Sequence, residues 1–161
     1  MDPHGKQRDG FPGQRLVVVP PDLVRQVSSL PVTRDLSVTH LGHFVTAPGH
    51  FVRRQKGAGQ WVAIYCMEGA GRARVGKIEH SLASGDLLFL EPTRGHEYEA
   101  DAVNPWSIFW VHFIGQRAKD YVESLGWTRA APVLHVPETG ILLESFEDLY
   151  RHTLHGMSDA E

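Results

Sequence analysis

The sequence has one cysteine, Cys66, among its 161 residues. A single thiol cannot build an internal disulfide framework or a cysteine-based zinc ribbon. No apolar run reaches the roughly 18 residues that a membrane-crossing helix needs. The polar N-terminus, MDPHGKQRDGFPGQR, lacks the apolar centre of a secretion signal. A basic surplus is missing too: 16 Lys and Arg stand against 19 Asp and Glu, a net charge of −3. A dedicated nucleic-acid binder shows the opposite balance. There is no internal repeat and no low-complexity tract. The expectation is a cytoplasmic domain with no membrane partner. At 42% hydrophobic, it has enough apolar residues to bury a core.

Residues 1–15 carry Pro, Gly and charge without periodicity and read as a loose tail. Leu16–Val19 is a short apolar run, a strand or an arm lying on the body, closed by Pro20-Pro21. Residues 22–34 show no decisive pattern. From Leu36 to Tyr98 short apolar runs alternate with Gly and Pro: 36–45, 51–54, 61–67, 72–75, 78–82 and 87–90, then His96-x-Tyr98. Strands broken by turns every 8–12 residues or so mark a sandwich or barrel. Residues 104–113 form a longer strand, with Trp106, Ile108 and Trp110 on one face by period two. After Gly115 the period lengthens. Ala118, Tyr121, Val122 and Leu125 fall on one helical face, and Gly126 can close that helix. Residues 131–136 read as one more strand. Residues 139–155 read as a helix with two apolar stripes, one through Leu142, Phe146, Leu149, Tyr150 and Thr153, the other through Leu143, Phe146, Tyr150 and Leu154. Gly156 is its expected stop. So wide an apolar arc needs a partner surface, either the barrel or a second subunit.

Gly69-Ala70-Gly71 reads as a tight turn, Ser84-Gly85-Asp86 leads into the apolar run Leu87–Leu90, and Pro92 to Gly95 reverses the chain. These are marks of a cupin-like jelly-roll barrel. The motifs Glu68-Gly69-Ala70-Gly71, Ser84-Gly85-Asp86-Leu87-Leu88-Phe89-Leu90 and Pro92-Thr93-Arg94-Gly95-His96-Glu97-Tyr98 go further. With Asn104-Pro105-Trp106-Ser107-Ile108-Phe109-Trp110-Val111-His112-Phe113-Ile114-Gly115, they make the chain resemble the N-terminal effector-binding domain of AraC/XylS-type bacterial transcription regulators. The resemblance spans about Leu36 to Gly156.

That resemblance implies a mainly β fold with C-terminal helices, in three parts: a tail and arm over 1–35, an effector-binding barrel over 36–114, and helices over 115–161 that form a homodimer interface. Its effector would be a sugar or another small polar metabolite. It would contact promoter DNA only through a separate helix-turn-helix domain, and none follows Glu161. An excised sensor, or one whose DNA-binding half has been lost, is therefore expected. By the same resemblance, Arg54, Tyr98 and Trp110 match effector contacts. Ile108 stands where the arabinose regulator is polar, which counts against arabinose, and His96 and Trp106 lie nearby in the motif. The chemistry suits a polyol, since an indole face packs on C–H bonds and a guanidinium donates to hydroxyls. Leu142, Phe146, Leu149 and Tyr150 are the expected dimer contacts.

Each assignment has a plainer competitor. Trp106 and Trp110 can be core, Tyr98 can cap the barrel, and Arg54 can lie on the surface beside Arg53. Adjacent strand residues face opposite ways, however, so one of those two arginines points inward. Ten histidines raise the question of a metal. No His-x-His occurs, and His40 and His43 fall on opposite strand faces. His96 and His112 could meet across strands, but two imidazoles make a poor metal site. No metal, no cofactor and no catalytic residue is expected. The alternative is a small metal-dependent cupin enzyme, an isomerase or dioxygenase. Cys66 reads as inert packing, and Arg72, Arg74 and Lys77 as a solvated face.

Overall fold

The computed structural model describes residues 13–137 and 139–158. The rest of the expected N-terminal tail and the last three residues lie outside the described residues. Two antiparallel sheets form a jelly-roll barrel. One sheet joins β1 (Arg15–Val18), β2 (Ser37–Phe44), β9 (Ser107–Ile114), β4 (Trp61–Glu68), β7 (Asp86–Leu90) and β10 (Val133–His135), in that order. The other joins β3 (Phe51–Arg54), β8 (His96–Ala100), β5 (Ala70–Val75) and β6 (Ile78–Ala83). Three helices complete the fold: α1 (Pro21–Ser29), α2 (Ala118–Ser124) and α3 (Thr139–Ser158).

The expected strands all form, within a residue or two at most ends. Leu16–Val19 proves to be mainly strand: β1 pairs antiparallel with β2, Leu16 opposite Gly42. The segment without a decisive pattern contains α1, which begins at Pro21, where a missing N–H costs nothing. Gly71 is not part of a turn. Only Gly69 turns the chain, with φ of 72°, while Gly71 lies within β5. Gly126 closes the α2 segment at φ 95°, as expected, yet only Ala118 and Val122 of the predicted face are buried; Tyr121 and Leu125 are exposed. Gly156 does not stop α3, which continues through it to Ser158. A glycine ends a helix by adopting left-handed backbone, and Gly156 does not.

β4 and β9 are apolar on both faces, because both faces of the six-stranded sheet are covered. Inside the barrel, Val62, Ile64, Ile108 and Trp110 meet Ala73, Val75, Leu82 and Tyr98 of the opposite sheet. Outside, Trp61, Phe89 and Phe113 pack with Ala118, Val122 and Trp127 around α2. Beside them, Val17, Leu41, Tyr65 and Phe109 receive Phe146 of α3. The residues expected at a dimer interface therefore face the chain's own sheet: Phe146 is buried there, and Leu142, Leu149 and Tyr150 are half-buried around it.

Candidate functional site

β3 settles the choice between the paired arginines. Arg53 faces out and pairs with Glu97 at 3.3 Å. Arg54 faces into the barrel, where its Nη1 donates to Tyr98 Oη at 3.0 Å and its guanidinium lies 5.9 Å from the centre of the Tyr98 ring. Both residues are placed by the β3–β8 ladder, with Val52 opposite Tyr98 and Arg54 opposite His96. Trp110 reaches the same interior from β9. Its indole lies across Gly42 of β2, where a Cβ would fall 2.5 Å from Cζ2, so the missing side chain makes the berth. Phe44 meets that indole edge-on, ring centres 5.5 Å apart.

Arg54, Tyr98, Ile108 and Trp110 line one internal cavity, together with Phe44, His50, Ile64 and His112. The other two expected residues sit behind that wall. His96 is stacked on Tyr98 at 6.1 Å and only 5% exposed. Trp106 is fully buried and donates to His50 Nδ1 at 3.3 Å, so it acts as packing below the site. The sequence points to His112 only as a partner for His96 at a metal, and not to His50 at all. His112 had a signal, since it continues the period of Ile108 and Trp110. His50, after the Pro48-Gly49 turn, had none.

The cavity is ≈ 10 Å³, about the space for one water molecule. Ligand sites ordinarily run from about 300 to 1,000 Å³. The interior as packed therefore has no room for a metabolite, and Arg54 on Tyr98 is part of that packing. Larger hollows exist on the outside of the four-stranded sheet. One of ≈ 660 Å³ is lined by Arg72, Glu79 and Glu99. Its arginine is already bound, with Arg72 Nε donating to Glu99 Oε1 at 2.7 Å. Another, of ≈ 510 Å³, has Arg54 and His96 on its wall beside Arg53, Arg74 and Glu97. The candidate site is the barrel interior that Arg54 enters, where the cavity lining holds no carboxylate.

His112 and His96 belong to different sheets and do not form the pair considered from the sequence. His112 faces His40 instead, ring centres 5.3 Å apart, and its Nδ1 lies 3.2 Å from Gln60 Oε1. His43 faces away, against Phe109. Among the described residues no three His, Cys, Asp or Glu side chains come together as a metal site. Cys66 is buried and its Sγ donates to the Glu68 carbonyl at 3.3 Å. Burial pushes its thiol up to about 12, so it stays protonated and unreactive.

Burial also holds His40, His43 and His96 below the ordinary imidazole value, with Arg54 adding repulsion at His40 and His96 and Arg15 at His43. The unfolded chain takes up these protons near pH 6.5, the folded chain only at lower pH. Stability should accordingly fall as pH drops through about 6.5, and level off below the folded values. Urea unfolding should show a lower midpoint at pH 5.5 than at pH 7.5, and His96→Gln should shrink that difference. Equal midpoints would contradict the burial of neutral imidazoles.

The sequence model of the AraC-like ligand binding domain family matches residues 37–160. The chain belongs to this family. The AraC-like domain is 38% identical over 135 residues to the MmsAB operon regulatory protein of Pseudomonas aeruginosa, covering 81% of this chain and 43% of that protein. It is 29% identical over 89 residues to the Msm operon regulatory protein of Streptococcus mutans, covering 55% of this chain and 32% of the relative. The chain thus spans less than half the length of either relative. Its fold is similar to the crystal structure of the protein YhaK from Escherichia coli, with a TM-score of 0.53 and 12% identity over 76% of this chain and 51% of that one. No helix among the described residues is long and apolar enough to cross a membrane.

Proposed function

We propose that this AraC-like domain is the effector sensor of a cytoplasmic transcription regulator and not an enzyme. It binds a sugar or another small polar metabolite inside the barrel, dimerises through α3, and controls promoter DNA through a separate DNA-binding domain. The observation that carries this reading is Arg54, turned inward onto Tyr98 beside Trp110. A guanidinium, a phenol and an indole offer directional donors and a flat face, which suits a small polar ligand. The full extent of both relatives, which are operon regulatory proteins, supports a further domain beyond the sensor.

The mechanism is a population shift. The closed barrel has no room for a metabolite, so the effector selects an open state in which Arg54 leaves Tyr98. Opening is transmitted through β9, which carries Trp110 on its inner face and Phe109, the platform of α3, on its outer face. A ligand moves such an equilibrium only by its differential affinity for the two states.

Thermal unfolding against mono- and disaccharides and their acids, with and without EDTA, tests this reading. An effector at 100 times its dissociation constant should add about 2.7 kcal/mol of stability, insensitive to EDTA. No shift with any compound, together with a large loss in EDTA, would instead point to a metal-dependent cupin enzyme.

A further inference from the structure

Every described arginine except Arg54 lies within 4.0 Å of an Asp or Glu oxygen. Arg54 has only the Tyr98 hydroxyl, an acceptor without charge. A guanidinium has five N–H donors, and one is used here. The cavity beside it has no Asp or Glu in its lining, and no acidic side chain is among the buried polar residues. Arg54 is half-buried, so the guanidinium keeps some contact with solvent, and the fold sets no counter-charge against it. An anion brought to it would be the first.

Two more buried polar atoms in the same region lack partners. Trp110 Nε1 has no acceptor, and His96 Nε2 has no hydrogen-bond partner. His96 Nδ1 lies 3.0 Å from the Arg94 carbonyl, which can only accept, so Nδ1 carries the proton. Burial and the nearby guanidinium keep the ring neutral, which leaves Nε2 as a bare acceptor. Arg54 lies on the wall of the small cavity with Trp110, and on the wall of a ≈ 510 Å³ hollow with His96, so it links an N–H donor on one side to a lone pair that wants a hydroxyl on the other. Each unmade bond is an expense that a matching ligand would recover.

We propose that the effector is a small hydroxylated carboxylate, a hydroxy acid or sugar acid, whose carboxylate pairs with Arg54 and whose hydroxyl donates to His96 Nε2. This rests on the effector-sensing reading above and narrows it from polar metabolites in general to singly charged acids. The indole N–H of Trp110 takes a second oxygen of the same ligand. A phosphate ester is the poorer match: no Lys or second Arg lines the small cavity, and Arg53 and Arg74, which share the larger hollow with Arg54 and His96, are already paired with Glu97 at 3.3 and 3.4 Å. A neutral sugar would satisfy the hydrogen bonds and leave the guanidinium without a counter-charge.

Matched probes test the charge and the hydroxyl separately. Thermal unfolding and titration calorimetry would compare D-gluconate with D-glucose, and D-glycerate with glycerol. L-Lactate with propionate isolates the hydroxyl, and glucose 6-phosphate tests the double charge. The hydroxy acids should raise the midpoint and their neutral counterparts should not. Propionate should bind roughly tenfold weaker than lactate, the value of one good hydrogen bond. Arg54→Gln should weaken acid binding roughly 10- to 100-fold, as expected for a charge-assisted pair, and Arg54→Lys should restore part of it. Both variants should keep a cooperative unfolding transition. A shift with glucose or glycerol as large as with the acid overturns the proposal and leaves the sensor reading standing. So does a preference for glucose 6-phosphate, or an Arg54→Gln variant that binds acids as wild type does. Silence from every acid overturns it too, while the saccharide panel still decides the sensor reading.

Discussion

Alanine at position 71 should cost the barrel more than about 3 kcal/mol, beyond the usual range for an overpacked core. A Cβ there would lie 2.0 Å from Cε3 of Trp106 and 2.7 Å from the Glu99 carbonyl oxygen. Neither neighbour can retreat. Trp106 is fully buried, bonded through its Nε1 to His50 and bordered by the Tyr98 ring at 6.4 Å. Glu99 belongs to β8, which is hydrogen-bonded on both sides, to β3 and to β5. Against a total stability of about 5–15 kcal/mol, a loss of that size is a large fraction. Urea unfolding measures it, and an unchanged midpoint would disprove the close approach. A double-mutant cycle identifies its source. Trp106→Ala alone should cost about 3–5 kcal/mol. In that background Gly71→Ala should cost less, because the ring it strikes is gone and only the Glu99 carbonyl at 2.7 Å still opposes it, and the two changes should fail to add.

The same pair of residues shows what can be read from the chain. The alternation of apolar runs with Gly and Pro places the strands, because turn chemistry and period are local properties. That neighbours face opposite ways follows from the period of two, for Arg53 and Arg54 as for His40 and His43; which of each pair faces in is decided by the cross-strand packing. What is not local is not legible. Gly71 looks like a turn residue beside Gly69, yet its role is set by Trp106, 35 positions away and in the other half of the motif. Trp106 and Trp110 share a pattern, and only the cross-strand partner separates them. Gly71 seats the first beneath the cavity, and Gly42 seats the second on its wall. His50 enters the site from a single bridge residue after a turn, with no period to announce it. The closure of the cavity is a property of packing, and no motif encodes it.

Phe146→Ala should release α3 from the sheet while leaving the barrel folded. One ring bears most of the docking. Phe146 stacks on Phe109 with centres 4.4 Å apart and planes at 8°, and Tyr150 extends the stack at 6.3 Å. Truncating a buried phenylalanine costs about 3–5 kcal/mol when the whole fold must bear it. A terminal helix can instead detach, which caps the global loss at the free energy of docking. The polar contacts around the stack are weaker. Arg15 Nη1 donates to Glu147 at 3.0 Å, but both side chains are over one-third exposed, so the pair is worth at most about 1 kcal/mol. Arg15 Nη2 also lies 2.8 Å from His43 Nδ1, a bond that exists only while His43 is neutral. Hydrogen exchange gives the measurement: in Phe146→Ala the α3 amides should lose protection and those of β4 and β9 should keep it. Unchanged α3 protection would mean that Leu142 and Leu149, over the ≈ 190 Å³ groove on the sheet, hold the helix without the stack. The outcome also bears on signalling. Phe109 and Trp110 are neighbours on β9 that face opposite sides of one sheet, so a helix held by Phe109 is one strand away from the effector cavity. If α3 is both docked on this sheet and shared with a second subunit, opening the cavity and loosening the helix are one motion. Phe146→Ala should then weaken self-association and shift the effector midpoint together.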